Sequence, residues 1–252
     1  MMIIDRQVHP FAADTPQRPW AHPHDDGRRH ITGDEMVMAM DAVGVDGAIA
    51  VSPKGIYEFD PGYVVEVQRA HPGRFAIVRP ADPENPPVAE SIAEWKRTSG
   101  AVAVRLMLGA HIGLDPNTPG VNTIAKEAAR QGFPVNFQCS GNLDAAMGVI
   151  DRHPETRFVI DHIGIHQPRK LPATPAAWAD LPMVLELAKR PNAAIKLSGV
   201  CAMSAQPYPY EDTGTTSSAC STPGAWTAAC GARTGCAPTR SFPISMPSIP
   251  SA

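Results

Sequence analysis

The feature that most constrains the fold of this 252-residue chain is a regular alternation of strand-like and helical segments up to residue 212. Short β-branched or apolar runs recur seven times, and nearly every run precedes a stretch with the apolar spacing of an amphipathic helix. This alternation predicts parallel strands joined by right-handed helical crossovers. The predicted strands are residues 2–5, 48–52, 75–78, 102–106, 133–137, 158–161 and 194–197.

The number of repeats favours an eight-fold (β/α) barrel, the TIM-barrel type of α/β fold, over an open doubly wound sheet. The predicted helices are residues 34–43 (with Thr32 or Asp34 as the N-cap), 64–70, 88–97, 123–130, 143–152 and 182–190. No Gly-x-Gly-x-x-Gly turn follows any predicted strand, which argues against a dinucleotide-binding fold. The alternation shows no eighth strand after residue 212.

The composition changes sharply at that same point. All 25 acidic residues lie at or before Asp212, whereas the last 40 residues carry only Arg233 and Arg240 as charges. Ser, Thr and Ala fill 21 of those 40 positions, so the segment has few large apolar side chains to offset its ordering entropy. We therefore expect an incomplete catalytic-type barrel over residues 1–212 and a low-complexity, poorly ordered tail over residues 213–252.

A shift of reading frame is one hypothesis for this tail. With synonymous codons chosen for it, the segment 229–235 read in another frame can encode M-W-G-T-D-W, and the preceding segment 214–229 can encode an amphipathic helix. The hypothesis is that one base was lost near the codon of Asp212, in the organism or in the sequence record. The alternative is a natural low-complexity tail, and resequencing the encoding DNA decides between the two.

Charge and hydropathy exclude several classes of function. The formal net charge of -3 gives no basic surface for nucleic acid, and no apolar run approaches the roughly 20 residues of a membrane span. The N-terminal residues lack the pattern of a signal peptide, and the five cysteines match neither a zinc site nor a disulfide framework. We expect a cytoplasmic protein with a small-molecule partner; whether it is a homo-oligomer is left open.

Polar side chains follow five of the seven predicted strands. Chemistry in a parallel barrel lies at the carboxyl ends of the strands, so these groups are expected to share one site. Taken singly, Arg105 or Lys196 is as often half of a structural ion pair as a functional group, since an unpaired buried charge is costly. Their coincidence at one end favours function, and the candidate site residues are Gln7, His9, Arg105, Gln138, His162, Lys196 and Ser198.

Three of these strand ends resemble the motifs of one known family. Residues 4–9 (Ile-Asp-Arg-Gln-Val-His) resemble the strand-one Ile-Asp-x-His-x-His of the amidohydrolase-related (amidohydrolase 2) family of TIM-barrel hydrolases and decarboxylases. Residues 159–164 (Val-Ile-Asp-His-Ile-Gly) resemble its strand-six Asp-His-x-Gly, and residues 195–199 (Ile-Lys-Leu-Ser-Gly) its strand-seven segment. The resemblance extends from residue 3 to about residue 212.

The resemblance implies a site with specific departures from the family pattern. Arg105 is similar to the strand-four arginine that holds a substrate carboxylate in lactonase relatives. A complete family site holds a divalent metal with histidine ligands and a strand-eight Asp that activates water. Here Gln7 replaces the first histidine and Gln138 stands where many relatives have another. His9 and His162 therefore make an incomplete set for zinc or manganese, and some lactonase relatives work without metal.

The leading hypothesis is a hydrolase acting on a small carboxylated lactone or amide. Arg105 and Lys196 would bind the carboxylate, with Gln7, Gln138 and Ser198 lining the substrate site. His9 and His162 would act catalytically, by holding a metal or by polarising the scissile carbonyl. Because no strand-eight Asp is present, we expect little or no activity. The alternatives are a metal-dependent non-oxidative decarboxylase and a non-catalytic barrel that binds a small organic acid.

Overall fold

Seven strands form one parallel sheet whose spatial order is the chain order. The computed structural model describes residues 2–22, 30–167, 175–206 and 210–214. Together with the crossover helices, the sheet confirms the predicted TIM-barrel type of α/β fold. Its strands are β1 Ile4–Val8, β2 Gly47–Val51, β3 Phe75–Pro80, β4 Ala101–Met107, β5 Val135–Gln138, β6 Phe158–Ile160 and β7 Ala193–Ile195.

Helices follow the first six strands, as the alternation predicts. Thr32 is the N-cap of the first helix: its hydroxyl accepts from the Glu35 N–H at 3.2 Å, and its own N–H donates to the Glu35 carboxylate at 2.7 Å. The four-residue helix α2 is an element that the periodicity did not predict. The helices are α1 Gly33–Ala42, α2 Lys54–Tyr57, α3 Gly62–Ala70, α4 Val88–Trp95, α5 Pro119–Arg130, α6 Leu143–Arg152 and α7 Leu181–Leu187, with 3₁₀ turns Ala110–Ile112, Asp161–Gly164, Pro175–Trp178, Val200–Met203 and Glu211–Thr213. None of the helices in the described residues is long and apolar enough to cross a membrane.

Alternating strand residues pack on the two faces of the sheet. One face packs against the helices in the main core, to which Val104 and Leu106 of β4 belong. The other face forms a separate cluster of strand residues alone: Ile49, Val51, Ala76, Val78 and Ala103. A cluster without helix residues is what the inside of a curled parallel sheet contains. The apolar inner cluster therefore marks the interior of the barrel.

The first and last described strands approach each other across the barrel. Among the described residues, β1 and β7 pair with one neighbour each and so form the two edges of the sheet. Directly after β7, the Lys196 ammonium reaches Oε1 of Gln7 in β1 at 2.9 Å. The curl thus brings the two edges within side-chain reach. The predicted tail lies outside the described residues from position 215 onward, together with any eighth strand.

The first strand lies further along the chain than predicted and contains a bulge. The sequence predicts a strand at residues 2–5, whereas β1 runs from Ile4 to Val8 with an irregular register between Asp5 and Val8. The polar Arg-Gln pair hides the strand from an analysis based on apolar runs. A bulge redirects side chains relative to a regular strand, and Gln7 lies in the bulged part of β1.

Candidate active site

Asp161 is the centre of a buried charge cluster at the carboxyl ends of the strands. Its Oδ2 accepts from Nε of Arg105 at 2.8 Å, and Nζ of Lys196 lies 2.9 Å from its Oδ1. The side-chain exposures are 0% for Asp161, 7% for Arg105 and 2% for Lys196. Ile160 and Ile195, which precede Asp161 and Lys196, are register partners in β6 and β7. Strand register thus sets the two side chains at one height.

The Asp161 carboxylate compensates one of the two positive charges of the cluster. Burial by itself opposes ionisation of Asp161, but Lys196 and then Arg105 hold the pKa of its carboxyl far below the ordinary range. Burial lowers the pKa of the Lys196 ammonium, and the Asp161 carboxylate opposes that shift. With both cations protonated, two positive charges face one negative charge. The cluster therefore carries one net positive charge, which suits an anionic ligand.

A strained turn after β6 directs two consecutive side chains into the site. His162 (φ 51°, ψ 47°) and Ile163 (φ 62°, ψ 2°) both adopt left-handed conformations, which are unfavourable for a β-branched residue such as Ile163. The fully buried Ile163 side chain and its N–H, which donates to the Lys196 carbonyl at 3.0 Å, hold the turn in place. In a regular strand Asp161 and His162 would point to opposite faces. The turn lets both join one network.

Gln7 connects the charge cluster to two imidazoles. Its Oε1 accepts from Nζ of Lys196 at 2.9 Å, and its Nε2 lies 3.1 Å from Nε2 of His162 and 3.4 Å from Nε2 of His9. The other ring nitrogens are also bonded: Nδ1 of His9 to the Val51 carbonyl at 2.8 Å, and Nδ1 of His162 to the Ser198 hydroxyl at 3.0 Å. Side chains from β1, β4 and the loops after β6 and β7 are therefore one connected network.

Burial favours the neutral form of both imidazoles. Burial, followed by the charge of Arg105, lowers the pKa of His9 to about 3. Burial also lowers the pKa of His162, and Arg105 and Lys196 add to this effect while Asp161 opposes it. Neutral imidazoles have one donor and one acceptor nitrogen each, so the network fixes which nitrogen carries the proton.

Arg105 keeps the end of its guanidinium available. Its Nε donates to Asp161. Nη1 and Nη2 donate to no group in the described part of the chain, and neither is a fully buried atom without a partner, so both are accessible to a ligand. These two nitrogens carry four N–H donors in a planar arrangement. Such a fork matches the geometry of a carboxylate.

Gln138 stands apart from this network. Its Oε1 accepts from the Gly109 N–H at 3.1 Å, and its Nε2 donates to the Ser140 hydroxyl at 2.7 Å. A Cβ atom at Gly109 would lie 2.5 Å from that oxygen, so a larger residue there would displace the Gln138 amide. The amide joins the loops that follow β4 and β5. Of the seven predicted site residues, the network brings together the other six.

The sequence analysis did not include Asp161 among the site residues, although a signal for it was present. Arg105 and Lys196 lie in predicted strands, and two buried cations require a buried anion at their level. Asp161 directly follows β6, and Lys196 directly follows the neighbouring strand β7. A search for that counter-charge would have selected it.

The described side chains do not fit a divalent metal. Within the described part of the chain, no group of three or more His, Cys, Asp or Glu side chains is arranged to hold a metal ion. His9 and His162 face the Gln7 amide nitrogen, and the buried carboxylate of Asp161 forms ion pairs with two cations. The zinc or manganese considered from the sequence therefore finds two imidazoles and no further ligand in this part of the chain.

The sequence matches one known protein family. A family model described as "Amidohydrolase" matches residues 4–229. A search of curated proteins found no match.

Solved structures share the fold at low sequence identity. An amidohydrolase from Burkholderia multivorans has a TM-score of 0.73 at 19% identity, covering 92% of this chain and 84% of that one. A probable 2-pyrone-4,6-dicarboxylic acid hydrolase from Acinetobacter baumannii, with citric acid bound, has a TM-score of 0.71 at 19% identity, covering 92% and 83%. A 5-carboxyvanillate decarboxylase from Sphingomonas paucimobilis has a TM-score of 0.58 at 15% identity, covering 91% and 88%.

Proposed function

The chain belongs to the amidohydrolase family, and from this premise we propose that it is a hydrolase of a small carboxylated lactone or amide. The observation that carries this proposal is the guanidinium end of Arg105, which is held by Asp161 and has two unengaged nitrogens. A buried cation with free donors recruits an anion. The net positive charge of the cluster adds to that preference.

The arrangement favours particular roles for the neighbouring residues. Arg105 binds the substrate carboxylate, and Lys196 contributes positive charge from behind Gln7. Nδ1 of His9 donates to the Val51 carbonyl, and the Gln7 amide nitrogen faces Nε2 of both imidazoles, so these Nε2 atoms are acceptors. Polarising a scissile carbonyl requires a donor, and the unengaged N–H groups of Arg105 are the donors that the geometry favours for that part. His162 suits a proton-accepting role when the Gln7 amide moves aside.

The water-activating base is the part of the mechanism that depends on the tail. The family resemblance implies a strand-eight Asp, and the segment that would carry it lies outside the described residues. On the frame-shift hypothesis, this chain binds its substrate and has little or no activity on it. Restoring the frame after Asp212 would supply the M-W-G-T-D-W segment and its carboxylate.

A pair of ligands tests the carboxylate-binding proposal. We expect 2-pyrone-4,6-dicarboxylate to bind in isothermal titration calorimetry and its dimethyl ester to bind at least about tenfold more weakly, because the ester lacks the charge that Arg105 recognises. Arg105→Met should abolish the difference. Arg79→Met is the matched control, since Arg79 of β3 lies over the Trp95 ring, 5.9 Å from its centroid, and not in the network. Equal binding of acid and ester by the native chain would contradict the proposal.

A non-catalytic acid-binding barrel is the second candidate. It is favoured by the Gln7 amide, which engages the Nε2 atoms of both imidazoles and leaves no free base in the described network. Hydrolysis by the frame-restored chain would exclude this candidate. A restored chain that binds carboxylated lactones and leaves every member of a panel of them intact would establish it and count against the hydrolase. The decarboxylase is not proposed, because it needs a tightly bound metal and the described donors do not fit one.

A further inference from the structure

The Gln7 amide nitrogen lies between the Nε2 atoms of two imidazoles, at a point where a cation could otherwise bind both. We propose that this amide takes the place of a divalent cation, excludes one from the site, and holds His162 in the Nδ1–H tautomer. The proposal concerns the resting state of the site. Its readouts need no substrate, so it stands or fails independently of the hydrolase proposal.

The orientation of the amide follows from Lys196. An ammonium group only donates hydrogen bonds, and Nζ of Lys196 lies 2.9 Å from one end of the Gln7 amide. That end must be the oxygen, so the NH₂ group faces the imidazoles. Two N–H donors then meet two Nε2 atoms, at 3.1 Å for His162 and 3.4 Å for His9.

The two imidazoles differ in what fixes their tautomer. The Val51 carbonyl only accepts, so Nδ1 of His9 carries a proton whatever occupies position 7. Nδ1 of His162 meets the Ser198 hydroxyl, which can donate or accept. The Gln7 amide therefore decides the tautomer of His162 alone. This makes His9 an internal control for the effect of Gln7.

The surrounding charges also disfavour a cation at this point. Nζ of Lys196 lies 2.9 Å from Gln7 Oε1 and hence no more than about 5 Å from the amide nitrogen. At that distance two positive charges repel strongly in a buried site. The only buried carboxylate of the network, Asp161, already faces Arg105 and Lys196. The neutral amide satisfies both imidazoles without adding charge.

Nitrogen-15 NMR of the imidazoles tests the tautomer. In the native chain we expect His9 and His162 both as Nδ1–H tautomers. In Gln7→Ala we expect His9 unchanged and His162 shifted to a mixture of the two tautomers. An Nε2–H tautomer of His162 in the native chain, or an unchanged pure tautomer in Gln7→Ala, would overturn the proposal. The native measurement keeps the test valid even where the variant does not fold.

Zinc titration tests the exclusion. We expect Zn²⁺ to leave the His9 and His162 signals of the native chain unchanged, and Gln7→His to bind Zn²⁺ at least about 100-fold more tightly, because it adds an imidazole and removes the amide. Gln131→His is the matched control and should bind Zn²⁺ no more tightly than the native chain, since Gln131 donates to Glu127 instead of contacting the imidazoles. Stoichiometric Zn²⁺ on His9 and His162 of the native chain, or equal affinities of the two variants, would refute exclusion by Gln7.

Discussion

The inner face of the sheet has two regions that differ in chemistry although both are buried. The apolar wall, in the region of β2 and β3, consists of Ile49, Val51, Ala76 and Val78. The charged wall, in the region of β4, β6, β7 and β1, consists of the Asp161 cluster, the two imidazoles and Gln7. The apolar wall has no polar side chain that needs a partner, whereas the charged wall leaves Nη1 and Nη2 of Arg105 without one. Function in this barrel is therefore expected on the charged wall alone.

Removing the central carboxylate of the charged wall should cause the largest loss of stability. Asp161→Ala leaves Arg105 and Lys196 buried without their counter-charge, and we expect it to lower the free energy of unfolding by about 3–5 kcal/mol. Urea denaturation followed by circular dichroism measures the loss. A loss below about 1 kcal/mol would mean that solvent or another group compensates the two cations, and the cluster would not be a structural centre.

The sequence predicted the two walls unequally, for physical reasons. Apolar runs and their spacing located β2 to β7 and the curl of the sheet, because burial on both faces requires continuous apolar strands. The polar residue types at the strand ends located six members of the network. The β1 bulge and the left-handed conformations of His162 and Ile163 were not predicted, because they depend on tertiary contacts. The partners of Gln138 were missed for the same reason, because a side-chain amide can form hydrogen bonds with a ligand or with neighbouring loops.

Lowering the pH should cause the second-largest loss of stability, through His9 in the charged wall. Unfolded His9 takes up a proton near pH 6.5, whereas burial and Arg105 lower its pKa to about 3 in the folded chain. Between these values the unfolded state binds more protons, so stability falls as the pH falls. From pH 7 to pH 5 we expect His9 to cost about 2 kcal/mol of unfolding free energy.

Urea denaturation at pH 7, 6 and 5 measures this dependence. His9→Asn keeps a donor toward the Val51 carbonyl and should reduce the loss over this range. Ile49→Val, on the apolar wall, should keep the native pH dependence. If His9→Asn loses as much stability as the native chain between pH 7 and pH 5, the proton uptake does not belong to His9.

A conservative change at Arg105 should affect binding more than stability. Arg105→Lys keeps the charge and loses the planar fork, and we expect about tenfold weaker binding of 2-pyrone-4,6-dicarboxylate. Isothermal titration calorimetry at constant ionic strength checks this. Unchanged affinity would show that charge alone, without the fork, recruits the ligand.

The apolar wall should give the smallest effect and leave function intact. Ile49→Val removes one methylene from the inner cluster and should cost about 0.5–1.5 kcal/mol of unfolding free energy. The dicarboxylate affinity should stay at the native value. A parallel loss of affinity would show that the two walls are coupled, and the division between them would have to be abandoned.

The central claim is that the chain curls until the first strand meets the segment after the seventh, and a double-mutant cycle on Gln7 and Lys196 tests it most directly. Gln7→Ala, Lys196→Met and the double variant are compared by urea denaturation. The 2.9 Å contact between Nζ and Oε1 predicts a coupling of at least about 1 kcal/mol between residues 189 positions apart. Effects that add within about 0.3 kcal/mol would contradict the contact and the shared site built on it.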